Sequence, residues 1–487
     1  MFDGTSRRRC LLGGVAPPPQ HRFSTRLTLD NVRVVVVGGG IAGLSAALEA
    51  RALRPDAEIV VLEASGRLGG KVAVSEVGGL AVDEGADSML TRVPDGLALA
   101  RSAGLEAELV APAAGQASIW SRGALRDLPT GTLLGLPTDL AALARSGLLS
   151  TVGLYRVLAD LAAPGSCVTE DVSVGDLVAR RFGREVVDRL VDPLLGGVYA
   201  GRADLLSLRA TLPQLVVPAA RHRSLLLAAR SARAQTPTTG GPLFASLPGG
   251  LGRLPDRLAH AARAEVRLNT TARDLARTPT GWRLTTGSAA DPQQLCADAV
   301  VLAVPAGPAG RLLTGLAPAL ELDYASVAIV SLVLAGPTPG RGSGYLVPAV
   351  EGRTTKAVTF SSRKWAHLAG ERSVLRASVG RYGETRDLQR EDDDLVETVR
   401  RELAEAVGPL PPVAASRVTR WGGGLPQYAV GHLDRVRAHR DAVARHPALA
   451  VAGAAYDGVG VPACARSGRE AARSVLVDNG GHDRRPA

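Results

Sequence analysis

Aromatic residues make up only 3% of the 487-residue chain, so a core in a chain that is 46% hydrophobic must be built from Leu, Val and Ala. Lysine is almost missing, at Lys71, Lys356 and Lys364 only, and arginine carries a formal net charge of +10. Heavy Arg, Ala and Gly usage reads as the codon bias of a GC-rich genome. Attraction to an anionic ligand or membrane surface is the competing reading, and no Lys/Arg-rich run beyond "SRRRC" supports it. No nucleic-acid partner is expected. The four cysteines, Cys10, Cys167, Cys296 and Cys464, are scattered. They form no C-x-x-C and no Cys/His spacing suited to zinc, which excludes a disulfide framework and a metal centre and fits free thiols in a reducing cytoplasm. No apolar run approaches the ~18 residues of a membrane span. Internal repeats are also lacking. Residues 1–30, Arg-rich with a short apolar piece broken by Gly and Pro, read as a disordered extension rather than a targeting peptide.

What is present begins with "VVVVGGGIAGLSAALEA". Val34 to Val37 read as a buried parallel strand. Gly38, Gly40 and Gly43 match G-x-G-x-x-G, in which the glycines serve a tight turn, close approach to a pyrophosphate, and close helix–strand packing. A helix over Leu44 to Arg54 would offer free N–H groups to phosphates. A second apolar strand, Ile59 to Leu62, ends at Glu63, where a ribose-binding carboxylate belongs. The following "EASGRLGGKV" holds a second glycine pair, which a nicotinamide site does not need and an extended FAD does. "VDEGADSML" is a polar turn suited to lying against an isoalloxazine. FAD is therefore favoured over NAD. The Arg-x-Gly-Gly-Lys run resembles the flavin-dependent amine oxidase and carotenoid desaturase superfamily.

The length suits two or three domains. A Gly turn and a helix, Leu254 to Arg263, lead to a short strand, Val266 to Leu268. Another strand follows at Gly281 to Thr285, Ala297 to Ala306 reads as a buried strand ending in a Pro turn, and Leu449 to Leu476 is again strand, glycine turn, helix. The fold class expected is α/β: a discontinuous Rossmann-like FAD-binding domain (32–80, 242–307 and 420–478), a mixed α/β substrate domain (81–125, 221–241 and 308–419), and a mostly helical domain (126–220). In the last, "LPTDLAALARSGLLSTVGLYRVLADL" and "SVGDLVARRFGREVVDRLVDPLLGGVY" read as helices whose Leu stripe is core.

Several segments, in order along the chain, resemble the oxygen-dependent protoporphyrinogen/coproporphyrinogen oxidase family. They include "LEASGRLGGK", "DEGADSML", "DPLLGGVYAGRADLLSLRATLPQL", "SLPGGLGRL", "VTRWGGGLPQYAVGH" and "GAAYDGVGVPACARSG". By motif, the resemblance implies FAD contacts at Gly38, Gly39, Gly40, Ile41, Ala42 and Gly43, at Glu63, Ala64 and Lys71, and at Gly85, Ala86, Asp87 and Ser88. Further contacts fall at Ala272, where the family usually has Val, at Trp421, and at Val459, Gly460 and Val461. Pro462 suits the first turn of the final helix.

The implied chemistry is six-electron oxidation of a porphyrinogen to a porphyrin, taken two electrons at a time, with O₂ as acceptor and hydrogen peroxide formed. The flavin carries the hard step, so no catalytic acid, base, nucleophile or metal is expected. His222 and His432 are general-base candidates against a structural reading of each, and Asp457 is read as serving the flavin turn. Coproporphyrinogen III is preferred to protoporphyrinogen IX: the chain is basic, and "GQASIWSRGALRDLP" carries Arg only at Arg122 and Arg126, a departure that looks like the bacterial coproporphyrin-forming branch. Arg92 is a candidate propionate partner, against a solvated surface Arg. Transient contact with a ferrochelatase and peripheral contact with a membrane are compatible with this reading. The competing readings are a flavin amine oxidase, a carotenoid desaturase, and a non-catalytic flavoprotein that carries porphyrin.

Overall fold

The structure, a computed structural model, describes residues 32–163, 168–235 and 241–477. The N-terminal extension, Cys10 and Cys167 lie outside the described residues.

A five-stranded sheet is assembled from distant parts of the chain, in the order Glu265–Arg267, Glu58–Leu62, Arg33–Val37, Ala299–Leu302, Leu449–Val451. Every neighbouring pair is parallel. Parallel strands need cover on both faces, which is why these segments are apolar throughout rather than alternating. On one face Val34, Val36, Ile59, Val61 and Val301 pack against alanines of the helices Ile41–Leu53 and Val461–Leu476. Small residues let these two helices touch: a Cβ added at Gly468 would lie 1.9 Å from the Ala42 carbonyl oxygen. On the other face Val35, Val60, Leu62 and Val300 meet Leu275, Trp282, Leu284 and Leu295 of a three-stranded antiparallel sheet.

A second sheet has seven strands, in the order Val413–Pro426, Tyr324–Leu334, Ser373–Val379, Thr355–Thr359, Gly344–Leu346, Ala117–Ser121, Ala124–Asp127. It is antiparallel except where Gly344–Leu346 runs parallel to Ala117–Ser121. One face packs on the helix Asp392–Val407 through Leu395, Val399 and Leu403. Three aspartates in that helix's first turn complement its dipole.

The segment after residue 139 is helical, around a core that includes Leu143, Val157, Val178, Phe182, Leu190 and Leu212. The two long helical readings are each interrupted. The first stops at Gly147, φ 64°, and restarts at Thr151, where Ser150 Oγ accepts the Gly153 amide at 3.0 Å. The second breaks at Gly183, φ 89°. At the first break a left-handed glycine closes one helix at no steric cost and a serine opens the next. At the second, Gly183 takes a positive φ and leads straight into the following helix. The Leu stripe is also only partly core. Leu143, Leu148, Leu149 and Val157 are buried, whereas Val152, Tyr155, Leu158 and Leu161 are exposed, Val152 at 77%. The helix Thr151–Ala159 is short and buries one face only.

Candidate functional site

The glycine-rich turn shows a separate physical reason for each glycine. Gly38 has φ +110°, and its Cβ would lie 2.5 Å from the Ala303 carbonyl oxygen. At Gly43 a Cβ would lie 1.9 Å from the Gly38 carbonyl oxygen. At Gly40 it would meet nothing within 4 Å, so the turn borders open space there. The amides of Ile41, Ala42 and Gly43 begin the first helix, where backbone N–H groups have no intrahelical acceptor. An anion in that space would meet those amides and the positive end of the helix dipole.

Glu63 braces the turn. Its carboxylate accepts the Gly39 amide at 2.8 Å through one oxygen, and the Ser65 amide (2.8 Å) and hydroxyl (2.7 Å) through the other. Ala64, beside it, is exposed. The Ala272 segment arrives at the same end: Asn269 N donates to Ser65 O and Thr270 N to Glu63 O, at 2.9 and 2.8 Å.

The second glycine pair is stitched to the first turn. Gly69 N donates to Gly39 O at 2.8 Å. Arg67 secures this loop, donating to the carbonyls of Leu68 (3.0 Å) and Gly70 (2.8 Å). Its guanidinium also lies 5.7 Å from the centre of the Trp421 ring. Lys71 follows. It is open to solvent yet flanked by protein, and this desolvation lowers its pKa against the opposing influence of Cys464. Burial in turn pushes the Cys464 thiol up to about 11, so it is not a thiolate near neutrality.

Lys71 also joins the turn Gly85–Ser88. Its carbonyl accepts the Ala86 amide at 3.1 Å, and a Cβ at Gly85 would lie 2.0 Å from that oxygen. Trp421 is fixed over this turn, its indole N–H donating to Glu84 O at 2.8 Å. Asp87 is ionised. Burial alone would raise its pKa, but the Lys364 ammonium and the Arg376 guanidinium outweigh this and hold it at about 2. Asp83 moves the opposite way, to about 7: burial dominates, and the Asp87 charge adds to the rise against Arg376.

Val459 and Gly460 precede the helix Val461–Leu476, whose N-terminus carries Pro462. Gly458 and Gly460 have φ of +117° and +102°. Asp457 is bound by Arg440 (2.9 Å) and by Ser467, whose hydroxyl also accepts the Gly453 amide at 2.8 Å, so it holds the approach to this turn.

The residues expected to touch FAD thus fall into two groups. Gly38–Gly43, Glu63, Ala64, Lys71 and Ala272 gather at the glycine turn. Gly85–Ser88 and Trp421 gather across the Lys71 contact, and Val459–Val461 supply a second helix N-terminus. The open space at Gly40, the two helix N-termini and the cation at Lys71 fit a group with an extended, doubly charged pyrophosphate.

The other candidates are placed elsewhere. His222 ends the helix Pro213–Arg221, half-exposed. His432 is buried and stacked on Tyr428, ring centres 4.4 Å apart. Burial, with Arg435 nearby, lowers its pKa to about 4. Arg122 is ion-paired to Glu185 and donates to Leu148 O at 2.9 Å, so it joins the sheet to the helical region. Arg126 donates to Ser121 O at 3.3 Å. Arg92 is exposed and has no ion-pair partner among the described residues. No cluster of three His, Cys, Asp or Glu side chains suited to a metal occurs among the described residues. Sequence reasoning missed Arg67, Lys364 and Arg376. Arg67 was visible within the R-x-G-G-K run, and Lys364 is one of three lysines in the whole chain.

The family model described as flavin containing amine oxidoreductase matches residues 41–476. A coproporphyrinogen III oxidase of Mycobacterium tuberculosis is 39% identical over 451 residues, 91% of this chain and 96% of the relative. One from Bacillus subtilis is 32% identical over 91% of this chain and 98% of its own length. Among solved structures, one described as a protoporphyrinogen oxidase from Exiguobacterium sp. 255-15 superposes with a TM-score of 0.82 at 34% identity, covering 92% of this chain and 99% of the other.

Proposed function

The chain belongs to the flavin-containing amine oxidoreductase family, in the branch of coproporphyrinogen III and protoporphyrinogen oxidases, and from that premise we propose that it oxidises coproporphyrinogen III to coproporphyrin III. It is an FAD-dependent oxidoreductase. In this proposal O₂ is the electron acceptor, hydrogen peroxide the second product, and the cytoplasm the working place. No helix among the described residues is long and apolar enough to cross a membrane. A ferrochelatase that receives the product by transient contact belongs to the same reading. The domain boundaries set out above are part of it.

FAD supplies the acceptance of two electrons as hydride. The protein holds and shields. Gly38–Gly43 cradle the pyrophosphate, Glu63, Ala64 and Ala272 serve the ribose and adenine end, and Lys71 adds a cation. Gly85–Ser88, Trp421 and Val459–Val461 hold the flavin end. Trp421 packs with Ala200, Ala325, Val327, Tyr382 and Leu425. This patch is the observation that carries the reading. It is an apolar backing, buried at Ala200, Ala325 and Val327, for a flavin-site residue. Its side-chain polar groups are already engaged: the Trp421 indole N–H donates to Glu84 O at 2.8 Å and the Tyr382 hydroxyl to Asp323 at 2.7 Å. Nothing in it is placed as an acid or base. That suits hydride removal from a macrocycle whose pyrrole protons leave to water. Arg92 remains the candidate for one propionate.

The amine oxidase alternative needs aromatic rings facing each other across the flavin. Tyr456 is instead buried with His439, in a different cluster from Trp421.

The test is growth of porphyrin fluorescence in air with the purified yellow protein, using coproporphyrinogen III and protoporphyrinogen IX at equal concentration. A marked preference for the first is expected. Preference for the second would move the enzyme to the other substrate, and no growth with either would overturn the proposal.

A further inference from the structure

Asp87 is a half-buried carboxylate in the turn proposed to face the flavin, and two cations from far along the chain engage its side chain. Lys364 Nζ lies 2.9 Å from one carboxylate oxygen, and Arg376 lies 3.5 Å from the same oxygen. Ser88 Oγ donates to the other oxygen at 3.0 Å and is itself 3.5 Å from Lys364 Nζ. Arg376 also donates to the Gly85 carbonyl at 2.5 Å. The main chain at the far side of the turn is tied as well, Ser246 Oγ donating to Asp87 O at 2.8 Å. Arg376 is buried and the other two are half-buried, with side-chain exposures of 18% for Asp87, 16% for Lys364 and 8% for Arg376. The Lys364 ammonium is further confined over the Trp365 ring, 4.9 Å from its centre.

Two cations therefore converge on one acid, and both come from the sheet side of the site: Lys364 from the short helix Ser361–Lys364, Arg376 from the strand Ser373–Val379. Donor capacity exceeds what the turn uses, since the Arg376 Nε–H is buried without a partner among the described residues. A buried ion pair is a poor way to add stability, because desolvation offsets most of the attraction. It is a good way to fix position, because both cations must meet the same carboxylate.

We propose that Lys364 and Arg376 are positioning residues that lock the Gly85–Ser88 turn, through Asp87 and the Gly85 carbonyl, to the seven-stranded sheet in the geometry that receives FAD. The proposal rests on FAD lying against this turn and is independent of which porphyrinogen is oxidised.

The test uses the full-length protein stripped of FAD and titrated with it, in wild type, Lys364→Met, Asp87→Asn, the Asp87→Asn/Lys364→Met pair and Lys364→Arg. The readouts are FAD Kd, the visible absorption band of the bound flavin, and the melting temperature of the apoprotein. Asp87→Asn leaves two cations without their acid, and Lys364→Met leaves Asp87 to Arg376 alone. In each, FAD binding is expected to weaken at least tenfold with a shifted flavin band. The double variant removes the same contact as either single and leaves Arg376 without its acid, so it is expected to bind FAD no worse than the weaker of the two singles. Lys364→Arg, which keeps the charge, is expected to lie between wild type and the singles. Singles that lower the apoprotein melting temperature but bind FAD within twofold of wild type would overturn the proposal, because the cluster would then serve the fold alone. A double variant whose loss equals the product of the singles would overturn it too. Where a single variant does not fold, the double variant and Lys364→Arg decide between the same outcomes. A wild-type protein that binds FAD but oxidises no porphyrinogen would count against the substrate reading and leave this test intact.

Discussion

Gly40 and Gly43 sit three residues apart in the same turn, yet alanine at the two positions should fail in opposite ways. Gly40 has φ −76° and ψ −179°, a conformation any residue adopts, and an added Cβ meets nothing within 4 Å. In the FAD-free protein Gly40→Ala should therefore be neutral or mildly stabilising, by ~0.4–1 kcal/mol from the reduced freedom of the unfolded chain. The open space is where the pyrophosphate would approach the backbone, so the methyl should weaken FAD binding at least tenfold, which is ~1.4 kcal/mol. Gly43→Ala meets the protein itself: its Cβ would lie 1.9 Å from the Gly38 carbonyl oxygen and 3.1 Å from Val36. Backbone cannot rotate away as a side chain can. The first helix must move off the strand, a cost at or above the upper end of the ~1–3 kcal/mol typical of overpacking. Thermal melts of the two apoproteins, followed by FAD titration, separate the cases. A Gly40→Ala protein that binds FAD like wild type would refute the phosphate-cradle reasoning. So would one whose apoprotein melts as early as Gly43→Ala.

Burial keeps His432 neutral with a pKa of about 4, below the ordinary 6.5. The stability this represents is present above pH 6.5 and lost as pH falls from there through 4, amounting to about 3 kcal/mol. His432→Phe, which preserves the stack on Tyr428, should flatten that limb of denaturant-derived stability against pH. Lys71 has a pKa lowered by desolvation, so the cation is present below that value and lost as pH rises through it. Its contribution to FAD affinity should fade on the alkaline side earlier than an ordinary lysine would, and Lys71→Met should lower FAD affinity at neutral pH and abolish this pH dependence. Asp160 is buried in the helical region and accepts from Arg181 (2.5 Å), Ser224 Oγ (2.6 Å) and the Leu226 amide (3.0 Å). Asp160→Ala should cost ~3–5 kcal/mol in a denaturant melt while FAD Kd stays unchanged.

The parts of the site that were legible in the sequence are those made by the backbone. Gly38, Gly40 and Gly43 could be read because a strand–turn–helix leaves a fixed spacing, and Glu63 because the second parallel strand ends beside the first turn. The helical stretch reads as longer helices than the fold contains because its alanines and leucines favour helix on both sides of Gly147 and Gly183. Only the packing shows that Val152 and Tyr155 face outward. Lys364 and Arg376 were not legible, since they lie 277 and 289 residues beyond Asp87 and nothing local marks them as its partners. Arg67 stood inside a readable motif, but its task of tying the Leu68 and Gly70 carbonyls depends on how the loop folds back on itself.

The measurement that bears most directly on the central claim is the stoichiometry of the complete reaction. An oxygen electrode and a peroxide assay would follow purified holoprotein supplied with a limiting amount of coproporphyrinogen III, with coproporphyrin quantified by absorbance. Six electrons removed in pairs by a flavin predict three O₂ consumed and three H₂O₂ formed per porphyrin. Porphyrin formation without matching oxygen uptake, or no oxygen uptake beyond the spontaneous rate, would contradict the account.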